Sequence, residues 1–189
     1  MPSDEFLGKR KKALEETFFA KQNQALVDEL RQKRDREAAR QALAGLAGIG
    51  DNAVLDRLIE LEIGPDTWSA ISLVPLVETA WADGDVDEKE RRAVLAAAEA
   101  NGAGPNSPGY QLLEGWLESR PGAELLESWA EYISALCETL SPEDKAALKG
   151  EVLGRARAVA EAAGGILGFG NKVNDAEAET LAKLEKAFA

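Results

Sequence analysis

The sequence predicts an all-α protein: a helical bundle over residues 65–189, a short helical connector over 41–64 and a long charged helix over 1–40. Three observations point there. Ala, Leu and Glu dominate, while aromatic residues make up only 6% of the chain, a mix that favours helices over strands. Apolar residues recur at helical steps between recognisable start and stop signals. One turn–cap–helix pattern occurs twice, which predicts a bundle of five or six helices containing two pseudo-twofold related helical hairpins.

The first helix spans residues 4–40, with Asp4 able to cap it. Leu7, Leu14, Phe18, Ala25 and Leu30 form a narrow apolar seam, interrupted by Gln22-Asn23-Gln24, and Phe18-Phe19 puts adjacent aromatics on an otherwise charged helix. A narrow seam suits a partner helix or a groove better than a domain core. Leu7, Leu14, Phe18, Phe19 and Leu30 are therefore candidate partner-binding residues, for self-association or for another protein. A fold-back of this arm onto the protein's own bundle is the competing expectation. Two short helices fill 41–63, the second capped by Asp51, before Gly64-Pro65 breaks the chain.

Residues 66–82 read as a helix kinked at the internal Pro75. It stops at Asp83-Gly84. The next helix, 88–101, opens with Asp87-x-x-Glu90, the form of a reciprocal cap, with Val86 as its apolar staple. A Gly/Pro/Ser/Asn loop over 102–109 leads to a short helix, Tyr110 to Glu118. A stronger amphipathic helix carries Leu125, Trp129, Tyr132, Ile133 and Leu136 up to Leu140. Ser141-Pro142-Glu143-Asp144 combines a cap, a first-turn proline and an acidic first turn. That helix runs to Ala163. The apolar Gly164–Gly170 link, which lacks the ending of a phosphate loop, precedes a final helix capped by Asn174. Val173, Asn174, Glu177 and Leu181 there repeat Val86, Asp87, Glu90 and Val94. The four Trp and two Tyr sit at helical spacing with other apolar residues and read as core.

Charge and composition exclude several functions. The net charge is −12, yet residues 1–40 hold ten Lys/Arg against eight Asp/Glu. The strongly acidic remainder is no surface for nucleic acid, which needs clustered cations. There is no His and one Cys, so a His-based hydrolytic triad and an internal disulfide are excluded, and Cys137 reads as a small buried hydrophobe. No apolar run is long enough to cross a membrane, and residues 1–15 lack the apolar core of a secretion signal. The cytoplasm is the expected compartment and no catalytic residue is expected.

Asp83, Asp85 and Asp87 alternate like the first ligands of an EF-hand, but Glu88 and Val94 stand where that loop needs its glycine and its bidentate glutamate. Two readings stay open for this turn. It is a capped acidic connection, or an oxygen-ligand site for Ca²⁺, Mg²⁺ or Mn²⁺ built from Asp83, Asp85, Asp87 and Glu90, with Glu78 in reach.

The string A-W-A-D-G-D-V-D-E-K-E, Ala80 to Glu90, resembles the A-x-A-D-G-x-hydrophobic-x-x-x-E signature of the TerB-like (tellurite-resistance) helical domains, and the resemblance covers roughly residues 66–188. It implies a TerB-like bundle whose acidic turn binds a divalent cation or a partner protein in a stress-response complex. R-K-K-A-L-E-E-T-F-F-A-K, from Arg10, is distantly similar to the opening of the ATPase zeta inhibitor family. That likeness implies the alternative, an adaptor or inhibitor that docks through its N-terminal helix.

Overall fold

The structure is a computed structural model. It describes the backbone of residues 3–163 and 175–189 and the side chains of 24–161, 176 and 178–189. Among these residues every regular element is helical: α1 (Ser3–Ala47), α2 (Asn52–Glu60), a 3-10 helix (Trp68–Leu73), α3 (Val74–Ala80), α4 (Glu88–Ala100), α5 (Pro108–Glu118), α6 (Ala123–Cys137), α7 (Pro142–Ala163) and α8 (Asp175–Lys186). The expected all-α class holds. The predicted match between the turns at 83–87 and 170–174, the Gly164–Gly170 link and the Asn174 cap fall outside the described residues.

The chain divides into two units, Met1–Ala39 and Arg40–Ala189. The second contains the core. Within it α3 and α4 pack on α7, α2 packs on α6, and α8 packs on α7 and α3. One apolar cluster joins Leu43 and Ala47 to Leu55 and Leu58 of α2, Trp129 of α6 and Leu184 of α8. A second gathers Leu76 and Val77 of α3, Val94 of α4 and Leu113 of α5. Residues 41–64, expected as a connector, are thus part of the bundle. The first of their two expected helices is the end of α1, and its Gly45 does not break it because helical hydrogen bonding continues to Ala47.

Several local devices follow the sequence closely. The Asp51 carboxylate accepts the N–H groups of Ala53 (2.8 Å) and Val54 (3.3 Å) at the start of α2. Ser141 accepts the N–H of Asp144 and donates its hydroxyl to that carboxylate, at 3.1 and 2.7 Å. Pro75 departs from expectation. The chain before it is a 3-10 helix, so proline occupies the first turn of α3, where its missing N–H has no helical partner to lose. The other end of α2 is unusual. Glu62 adopts a left-handed φ of 63°. Its N–H reaches Ile59 O (3.0 Å) and that of Ile63 reaches Leu58 O (2.9 Å), a closing pattern normally served by glycine.

The four Trp and two Tyr belong to the apolar clusters or pack against them, as their spacing predicts. Trp129 is 1% exposed and meets Phe188 edge-on at 6.2 Å. Trp68 meets Tyr132 edge-on at 5.3 Å. The Trp81 Nε1–H donates to the carbonyl of Trp116 at 2.8 Å, tying the end of α3 to α5. Burial pushes the Tyr132 hydroxyl up to about 12.

Candidate functional site

The acidic turn lies between α3 and α4. Gly84, with φ of 100°, donates to Trp81 O and bends the chain. The carboxylates that follow meet backbone donors. Asp83 Oδ1 accepts the N–H of Asp85 at 3.3 Å, and Asp85 Oδ1 accepts that of Val86 at 3.0 Å. Asp87 Oδ1 accepts from Lys89 (2.7 Å) and Glu90 (2.9 Å), while Glu90 Oε2 accepts the N–H of Asp87 at 2.8 Å. The predicted reciprocal cap is formed, and Val86 packs against the cluster that contains Val94. The Glu90 backbone N–H is the first cause holding the Asp87 carboxyl below its ordinary value.

Geometry thus brings Asp87 and Glu90 together, but around backbone amides. Among the described residues no three Asp, Glu or Cys side chains converge as a set able to hold a metal ion. Glu78, one helix turn before the acidic stretch, faces a different environment. Burial raises its carboxyl above the usual range, against the pull of Arg120 and Lys183. No helix of the described residues is long and apolar enough to cross a membrane.

The second candidate is the N-terminal helix. Leu26, Val27 and Leu30 are 54%, 51% and 57% exposed. The side chains of Leu7, Leu14, Phe18 and Phe19 lie outside the described residues. Helix geometry revises the expected seam. The step of five from Ala25 to Leu30 turns about 140° around the axis, whereas the step of four from Leu26 turns about 40°. Leu30 therefore shares a stripe with Leu26, flanked by Val27, and not with Ala25.

No family model matches the chain, and no curated protein or solved structure matches it either.

Sequence reasoning missed two features. Leu26 and Val27 could have been found by scoring spacings of three and four residues against α-helix geometry, instead of tolerating a step of five. The other is a cleft of about 470 Å³ beside α2 and α6, whose lining includes Asp51, Arg57, Glu131 and Glu138. Arg57 pairs there with Glu131 Oε1, and the other oxygen of Glu131 is shielded from solvent with no hydrogen-bond partner. No sequence signal could have paired residues so far apart in the chain.

Proposed function

We propose that this chain is a non-enzymatic helical protein that docks on a protein partner through its N-terminal helix, near Leu26, Val27 and Leu30. The exposure of those three side chains carries the reading. Full burial of one such side chain is worth about 1.5–3 kcal/mol, so each leaves roughly 1 kcal/mol unused, and together they form one stripe. The composition supports a role without catalysis, since the chain has no His and a single Cys. A TerB-like identity for the bundle, with a place in a stress-response complex, belongs to the same proposal. Its support is the Ala80–Glu90 motif and the all-helical architecture of the described residues.

Two variants test the docking role: deletion of residues 1–39, and Leu26→Asp combined with Leu30→Asp. Affinity capture from cell extract with the full chain is compared with each variant, and scanning calorimetry follows bundle melting. The expected result is loss of associated chains with an unchanged melting temperature. A large fall in melting temperature with association unchanged would assign the arm to the core and end the proposal.

A further inference from the structure

Building on the docking role proposed above, we infer that the occupant of the Leu26–Leu30 stripe is the same helix of a second copy, in parallel register. From residue 24 to residue 38 every position of α1 except Asp28 is exposed. A helical stretch that stays exposed gains little beyond its local hydrogen bonds and side-chain pairs. Leu26 and Leu30 are separated by the four-residue step that joins a d position to the next a position of a heptad. In that register Val27 is an e position, Glu29 a g position and Arg34 the following e position.

Charge complementarity selects the partner and its direction. In a parallel two-stranded pair, a g residue lies beside the e residue five positions later on the other helix. Glu29 of one copy then faces Arg34 of the second, and the symmetric contact repeats it. Both side chains belong to exposed stretches of α1. Among the described residues Arg34 reaches its exposed neighbour Asp35, at 3.4 Å, a surface contact that costs little to exchange. Beyond Leu30 the seam positions are Lys33 and Glu37, so the apolar contact closes there. Three half-exposed side chains per copy fall well short of a standard interface. The association is accordingly weak, concentration-dependent and sensitive to salt.

Sedimentation equilibrium of the full chain over a concentration series, with native mass spectrometry of mixtures, tests this. The wild type is expected to dimerise as concentration rises. Glu29→Arg alone and Arg34→Glu alone should each weaken dimerisation by roughly five- to tenfold, because each places like charges together twice. An equimolar mixture of the two single variants should form the heterodimer in preference to either homodimer, since both contacts become opposite-charge again. Leu26→Asp with Leu30→Asp should leave a monomer. A wild type that stays monomeric at every concentration overturns the inference. So does a dimer insensitive to both charge changes, or a mixture without heterodimer. A monomer that still loses a captured protein on the Leu26/Leu30 change overturns the second copy while leaving the docking role standing.

Discussion

Asp87 and Glu90 satisfy each other's backbone: the carboxylate of Asp87 accepts the Glu90 N–H at 2.9 Å, and that of Glu90 accepts the Asp87 N–H at 2.8 Å. Glu90 is 4% exposed, and removing its carboxylate would take away the acceptor of the Asp87 N–H. Asp87→Ala should cost about 1 kcal/mol, lowering the melting temperature by about 2–4 °C. Asp87→Asn should cost far less, because Asn caps equally well. Asp83→Asn and Asp85→Asn should stay within about 0.5 kcal/mol of the parent. Equal losses from Asp83 and Asp87 would refute the cap as the source of the turn's stability.

The cap also sets a pH dependence. The folded chain holds the Asp87 carboxyl below its unfolded value, principally through the Glu90 N–H. Its stabilisation is therefore complete above the unfolded value of about 3.9 and is lost as pH falls through the lower folded value. The stability advantage of the parent over Asp87→Ala should shrink as the solution is acidified below about pH 4. Glu78 acts oppositely. Burial raises its carboxyl, so Glu78→Gln should help above the acidic range and make no difference below it. Urea titrations from pH 7 to pH 3 measure both.

Leu43 and Leu46 separate bundle from surface on one helix. Leu43 is 0% exposed and Leu46 52%. Leu43→Ala should cost about 2–5 kcal/mol by opening a cavity in the first cluster, whereas Leu46→Ala should change stability by no more than about 0.5 kcal/mol. If Leu43→Ala were as mild as Leu46→Ala in chemical denaturation, the end of α1 would not be part of the bundle.

Glu62 carries the left-handed turn that closes α2. Glycine adopts this conformation without the cost of a Cβ, about 1–2 kcal/mol, but gives back part of it as chain entropy. Glu62→Gly should therefore raise stability by roughly 0.5–1 kcal/mol, and Glu62→Val should lower it. A destabilised glycine variant would mean that the Glu62 side chain makes a contribution larger than the strain.

A cation at the acidic turn competes with a backbone N–H for one oxygen of each of Asp83, Asp85, Asp87 and Glu90. Calorimetric titration should give at most millimolar binding of Ca²⁺, Mg²⁺ or Mn²⁺ and less for Zn²⁺, which favours nitrogen and sulfur. Micromolar binding that disappears when Asp83 and Asp85 become Asn would make the turn a metal site.

Helix starts were legible where a single side chain dictates them: Asp51, Asp87 and Ser141 all cap as their spacing predicts. The class of the fold followed from composition for the same local reason. Pro75 misled because a proline inside an apolar run looks internal unless the preceding 3-10 turn is known. The change in charge balance at residue 40 is visible in the sequence, but the part that 41–64 play in the core is not. Leu43, Leu55 and Leu58 find Trp129 only through the tertiary fold. On the arm, Leu30 is exposed, but its neighbour around the helix is Leu26 and not Ala25, an angular order that a step of five obscures.

The placement of the tryptophans has one more consequence. Trp68, Trp81, Trp116 and Trp129 all belong to residues 40–189, and the arm has none. Intrinsic fluorescence excited at the indole band therefore reports on the bundle alone. Far-ultraviolet circular dichroism sums over every helix, with α1 the longest contributor at 45 residues. One signal reads the bundle and the other reads the bundle and the arm together. Loss of helical ellipticity at constant emission is the optical signature of the arm melting by itself, and coincidence of the two transitions is the signature of one cooperative unit.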